Sequence, residues 1–354
     1  MTHPNTADPS NAHPPASSES LGVSLGPALR EQCGGRLGPI EWFRNGWQHS
    51  GAATGFSVWN DGSGSSLDVM VKIPVGPTEL EWTSRLAGFA LGSASPPEAG
   101  SAAPASTDGH EPPTPLVLAA GSSVGNYDLA WLVMERLSGQ TLAHEQDPSA
   151  VQDLIVAAAD FHECAGEQCP IGQTPPPHEW ERLIEKARHT ARDGAIGDSQ
   201  RWNEAIKRTQ RHLTSLIARW NRRDVRTWCH GDLHPGNALR RPGARSASAA
   251  RRNGAVLIDL ALVHPGHWVE DALYLERLHW AKPERLRGVK PVSALAQLRR
   301  ERGLPTNDGY AELAMIRRAL MAACAPAFLE HEGHPKYLRA ALENLEKALP
   351  QVAK

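Results

Sequence analysis

Two stretches hold the residues best suited to chemistry: TWCHGDLHPGNALR at 227–240 and AVLIDLALVHPGHWVEDALYLE at 255–276. Asp232 and Asn237 stand five positions apart, on a segment that Pro235 and Gly236 keep out of a helix. The runs 238–240 and 256–258 read as short strands joined by the polar loop 241–254. Paired as a hairpin, they would bring Asn237 and Asp259 to the same end. Two carboxylates and an amide oxygen would then gather. Hard oxygen ligands of this kind suit Mg²⁺, which takes few protein ligands and fills its shell with phosphate oxygens and water. Asp232 is left to accept a proton from a hydroxyl, and phosphoryl transfer needs such a set of groups.

Other chemistries fit less well. GDLH alone is shared with metallophosphoesterase boxes, but the further Asp-x-His and Asn-His elements are missing. His230 reads as a buried residue shaping its loop. His234, His264 and His267 read as chance neighbours in a chain with 16 histidines. Cys33, Cys164, Cys169, Cys229 and Cys324 are odd in number and show no paired spacing, which points to a reducing, cytoplasmic setting. No signal peptide is visible, and Arg317 and Arg318 interrupt the longest apolar stretch near the C-terminus, so no membrane partner is expected. The formal charge of -2 excludes an overall basic nucleic-acid binder.

The paired motif, HGDLHPGN followed by LID, resembles the signature of the aminoglycoside phosphotransferase family of protein-kinase-like enzymes. The matching residues are His230, Gly231, Asp232, Asn237, Ile258, Asp259, Gly266 and Asp271. Leu260 departs from the pattern, where the family often has an aromatic residue. The resemblance covers roughly 36–350. It implies an α+β, bilobal protein-kinase-like fold with a small β-rich N-lobe and a larger α-helical C-lobe. It further implies Asp232 as catalytic base, Asn237 and Asp259 as Mg²⁺ ligands, Asp271 as a brace for the loop, and ATP as phosphoryl donor.

The upstream half should then supply the nucleotide site. In DVMVKIPV, Lys72 shares a face with Asp68 and Met70, opposite Val69, Val71 and Ile73. A strand lysine alone is commonly a solvated edge residue. Placed before a helix that opens with acidic residues, Lys72 resembles the family's phosphate-binding lysine. That helix is predicted over 78–91, capped by Thr78. Glu79, Trp82 and Leu86 share one face, which makes Glu79 the ion-pair partner of Lys72. The loop NGWQHSGAATGFSVW, with Gly51 and Gly55, is the candidate phosphate cover, although it lacks a G-x-G-x-x-G pattern. WLVMERLSGQTL resembles the linker between lobes, where backbone groups near Met134 and Arg136 would meet the adenine edge.

The remaining chain is organised around these segments. With 31 Gly and 28 Pro, some of it should be linker. Residues 1–35 are expected to be disordered, 36–136 to form the N-lobe and 137–354 the C-lobe. Flexible insertions are expected at 91–115 and at 241–254, the second of them basic. The expected activity is ATP- and Mg²⁺-dependent transfer of a phosphoryl group to a small-molecule hydroxyl acceptor, a metabolite or an aminoglycoside-like alcohol. The alternative is a non-catalytic nucleotide-binding pseudokinase. Residues 277–354 mix Arg and Lys with Glu, without the acidic excess that would mark a polycationic acceptor.

Overall fold

The computed structural model describes residues 18–43, 51–91, 112–145, 147–194, 196–241 and 254–353. Much of the predicted insertions at 91–115 and 241–254, and the start of the candidate phosphate loop, lie outside the described residues. The chain divides into two compact units, Met1–Arg136 and Leu137–Lys354.

The first unit is built on a five-stranded antiparallel sheet of β1 (Glu41–Phe43), β2 (Ala53–Asn60), β3 (Ser66–Ile73), β4 (Val117–Gly121) and β5 (Trp131–Glu135), in the order β1-β2-β3-β5-β4. Alternation along β3 buries Val69, Val71 and Ile73 on one face and leaves Met70 and Lys72 on the other. Helix α1 (Ser18–Gln32) covers the first of these faces. The expected disorder of 1–35 is therefore wrong over this helix. Leu21, Leu25 and Leu29 recur every four residues and pack on Trp59, Val69 and Val71, an apolar stripe that the Ser- and Pro-rich composition around it conceals.

Helix α2 (Pro77–Leu86) lies in the same unit. It is shorter than 78–91, and its cap is Gly76 rather than Thr78, because Pro77 occupies the first turn, where its missing N–H costs nothing. Its buried residues include Leu80, Trp82 and Leu86.

The second unit is mostly helical: α3 (Ala150–Gln168), α4 (Trp180–Arg192), α5 (Ser199–Asn221), α6 (Val269–Leu278), α7 (Pro291–Glu301), α8 (Tyr310–Cys324), the single turn α9 (Leu329–Glu332) and α10 (Pro335–Val352). Two small antiparallel ladders are set among them. One pairs β6 (Thr227–Cys229) with β9 (His264–Gly266), the other β7 (Ala238–Arg240) with β8 (Ala255–Leu257). Helix α3 is apolar enough to be buried along most of one side, and it packs on α7, β6 and β8. It thereby backs the strand that leads into the 230–237 loop and the strand that leads to Asp259. Among the described residues, no helix is long and apolar enough to cross a membrane.

Candidate active site

The loop after β6 turns sharply at Gly231, whose φ is +82°. A Cβ there would lie 2.3 Å from the Leu262 carbonyl oxygen, so both conformation and space demand glycine. The turn is held by Asp271 in the first turn of α6. Its carboxylate accepts the His230 N–H at 2.9 Å, the Gly231 N–H at 2.9 Å and the His162 Nε2–H at 2.9 Å. Burial opposes ionisation of Asp271, yet these bonds hold its carboxyl below the usual carboxylate range.

The ring of His230 is fully buried. Its Nδ1 accepts the Asp232 N–H at 3.2 Å, which places the ring proton on Nε2, donated to the Ile258 carbonyl at 3.1 Å. Burial pushes the pKa of this imidazole down, so it stays neutral. His230 thus joins the Asp232 turn to the strand that ends at Asp259. The expectation of a structural His230 agrees with these contacts.

Asp232 keeps about a quarter of its side chain exposed, at 24%. Asn237 Nδ2 donates to its Oδ2 at 2.9 Å and to its carbonyl at 3.1 Å. His234 Nδ1 accepts the Gly236 N–H at 3.0 Å, which leaves the ring proton on Nε2, 3.6 Å from Asp232 Oδ2. Tyr274 of α6 also favours the charged form of this carboxylate. Burial raises the Asp232 carboxyl, but His234, Tyr274 and Asn237 outweigh it and hold the group well below the usual range. The group is an anion at neutral pH.

The β7–β8 hairpin pairs Ala238 with Leu257, and the Ile258 N–H continues it onto the Asn237 carbonyl at 3.0 Å. Asn237 and Asp259 therefore flank the same end of the hairpin. Asp259 adopts a left-handed conformation, φ 61° and ψ 64°, tolerated better by Asp than by most side chains. Leu260, at the departure from the family pattern, is buried. Among the described residues, no group of three or more His, Cys, Asp or Glu is arranged to hold a metal. The pair Asn237 and Asp259 suits a different kind of cation. With Nδ2 spent on Asp232, Asn237 can offer only its Oδ1, and an amide oxygen with a carboxylate is the hard donor set of Mg²⁺.

In the first unit, Lys72 and Glu79 form an ion pair, with side chains 14% and 7% exposed. Glu81 turns outward to Arg85 at 2.6 Å. Gly51 has a left-handed φ of +67° just before β2. Gly55 lies inside β2, where a Cβ would meet Ile40 Cγ2 at 2.5 Å, so packing alone accounts for that glycine. Met134 is a buried core residue of β5. The Arg136 N–H is bonded to the Asp68 carbonyl at 2.9 Å, and its guanidinium sits 3.7 Å from the centre of the Phe56 ring. Sequence reasoning missed His162, His234 and Tyr274. Tyr274 was within reach, since it follows Asp271 by one helical turn on the same face. His162 lies 109 positions from Asp271 and carried no local signal.

This mixed α+β architecture, a small antiparallel sheet unit and a larger helical one, is that of the kinase-like phosphotransferases. A model of the phosphotransferase enzyme family (APH) matches residues 105–316, more than half of the chain, and the chain belongs to that family. Comparison with curated proteins finds no match. Solved structures share the fold. An aminoglycoside phosphotransferase from Alicyclobacillus acidocaldarius is 15% identical with a TM-score of 0.51, over 88% of this chain and 91% of that one. A Ralstonia eutropha protein, provisionally assigned as an aminoglycoside phosphotransferase, is 14% identical with a TM-score of 0.51, over 91% and 95%. A thermostable mutant of aminoglycoside phosphotransferase APH(4)-Ia, in ternary complex with AMP-PNP and hygromycin B, is 12% identical with a TM-score of 0.50, over 94% and 99%.

Proposed function

We propose that this phosphotransferase uses ATP and Mg²⁺ to phosphorylate a hydroxyl of a small molecule. The observation that carries the proposal is the partly exposed, anionic Asp232, bonded through its carboxylate to Asn237, with Asp259 at the same end of the hairpin. Asp232 orients the acceptor hydroxyl and takes its proton as the oxygen bonds to the γ-phosphorus and ADP departs. Asn237 and Asp259 would hold the metal, which when bound offsets charge on the phosphate oxygens. Lys72, aimed by Glu79, binds the α- and β-phosphates, with Gly51 and Gly55 in the segment over them. Backbone groups at Met134 and Arg136 meet the adenine edge. With its N–H bonded to Asp68, Arg136 retains only its carbonyl for that contact. The acceptor class is an alcohol-bearing metabolite or aminoglycoside. The AMP-PNP and hygromycin B complex of a protein with this fold supports a nucleotide donor and a hydroxyl-bearing acceptor.

The test is transfer from γ-labelled MgATP into pooled metabolites and aminoglycosides, read by mass spectrometry, with Asp232→Asn as control. A labelled product that disappears in the variant is the expected result. Nucleotide binding without any product would instead favour a non-catalytic nucleotide-binding protein.

A further inference from the structure

A charged cluster beside the Asp232 turn is not used by the groups described so far. Arg317 interrupts the apolar stretch of α8, and its Nη1 lies 2.9 Å from Oε2 of Glu270, a buried residue in the first turn of α6. Glu270 Oε1 accepts the Arg223 Nε–H at 3.0 Å and the His267 N–H at 3.0 Å. Two guanidiniums, which keep their charge in proteins, thus face one carboxylate. His178 and His264 complete the cluster, with Nε2 atoms 3.7 and 3.8 Å from Glu270 Oε2. Glu270 and Arg223 are buried, whereas the side chains of Arg317, His264 and His178 are 13%, 22% and 23% exposed. Solvent therefore meets nitrogen groups and not the carboxylate. The cluster also borders the turn. His264 pairs with Cys229 across the β6–β9 ladder, and its Nδ1–H donates at 2.8 Å to the Leu262 carbonyl, the one that lies against Gly231.

The unused hydrogen-bonding capacity here is of one kind. Arg317 Nε and the indole Nε1 atoms of Trp180 and Trp220 are buried and have no hydrogen-bond partner among the described residues. Both indoles lie against Arg317, their ring centres 5.9 and 4.9 Å from its guanidinium carbon. His178 packs on Trp180 with ring centres 4.9 Å apart. Its Nε2 accepts from Arg317 Nη1 at 3.2 Å, which puts the ring proton of the neutral imidazole on Nδ1 as a further donor. Indole and guanidinium N–H groups can only donate, so a partner that satisfies them must bring acceptors. We infer, resting on the reading of Asp232 as base, that this cluster is an anion subsite for the acceptor, which is then an alcohol that also carries a carboxylate or a phosphate. Arg317 and His178 receive the anionic oxygens while the hydroxyl lies at Asp232. The planar guanidinium matches two oxygens of either group. A polycationic acceptor would set its ammonium groups against the positive excess and is selected against.

The experiment titrates inorganic phosphate into the full-length protein, followed by calorimetry and by tryptophan fluorescence. The expected result is saturable binding that weakens roughly 10- to 100-fold in Arg317→Met. Arg223 keeps Glu270 paired in that variant. His178→Phe keeps a ring against Trp180 and removes only the imidazole nitrogens, so it separates loss of the donor from loss of the fold. It should weaken binding in the same direction at an unchanged melting temperature. Binding that survives in both variants but is lost in Lys72→Ala would assign the ion to the nucleotide site and overturn the subsite. No phosphate binding at all would overturn it as well. In the transfer assay, hydroxy acids and sugar phosphates should give labelled product. Arg317→Met should raise their KM about 10-fold or more while KM for MgATP stays unchanged. Product from neutral polyols or aminoglycosides alone would overturn the inference. Phosphate binding that depends on Arg317, with no product from any acceptor, would uphold the anion site and overturn Asp232 as base, which is a separate failure.

Discussion

At the residue scale, the site depends on a few positions whose chemistry has no substitute. Gly231 combines a left-handed φ of +82° with a backbone oxygen 2.3 Å from where a Cβ would sit. Gly231→Ala is expected to cost roughly 1–3 kcal/mol, and to shift Asp232, because the backbone must move. Thermal unfolding and the transfer assay check both effects. The two neutral histidines around Asp271 predict a pH dependence. Burial depresses the pKa of His162 and of His230 below the ordinary 6.5. Below pH 6.5 the unfolded chain therefore binds protons that the folded chain refuses. Their stabilising contribution is complete above 6.5 and declines as the pH falls toward the folded values. Each proton steepens the decline by at most about 1.4 kcal/mol per pH unit. His264, whose pKa is raised, runs in the opposite sense, so a variant isolates the effect. Melting temperatures between pH 8 and pH 5 should fall less steeply in His162→Gln than in the wild type, and equal slopes would contradict the assignment.

At the element scale, two helices serve the sheet of the first unit differently. Helix α1 seals one face through Leu25 and Leu29. Leu29 is fully buried, so Leu29→Ala should destabilise by about 2–5 kcal/mol, measurable by denaturant unfolding. Helix α2 supplies Glu79 to Lys72, and burial makes this pair matter more than a surface one. Glu79→Gln should raise the KM for MgATP severalfold, since Lys72 loses the partner that directs it. A KM equal to that of the wild type would show that Lys72 is aimed by something else. In the second unit, α6 holds the 230–232 turn through Asp271, and α3 braces Asp271 through His162.

At the scale of the whole molecule, the candidate residues are divided: Lys72 and Glu79 lie in one unit, and Asp232, Asn237 and Asp259 in the other. A ligand that binds only the folded protein raises its melting temperature by mass action, by about 2.7 kcal/mol of stability at a hundredfold excess over Kd. MgATP should therefore stabilise the wild type. Lys72→Ala and Asp259→Asn, one in each unit, should each reduce that shift. A full shift in either variant would remove that residue from the nucleotide or metal site.

The arrangement of the candidate residues in the second unit was legible in the sequence because it is local. Asp232, Asn237 and Asp259 lie on a turn and a hairpin whose Pro, Gly and strand-like runs declare themselves over a few residues. The alternation that sets Lys72 apart from Val69, Val71 and Ile73 is local for the same reason. Helix α1 was hidden because its apolar stripe is sparse and packs on a sheet built from residues that follow it in the chain. Gly55 could be read as part of a phosphate loop, but only the approach of Ile40 shows that packing already requires it. The donor that His162 brings to Asp271 was decided by tertiary structure. That bond joins two helices 109 positions apart, and no periodicity or spacing records which buried groups will meet.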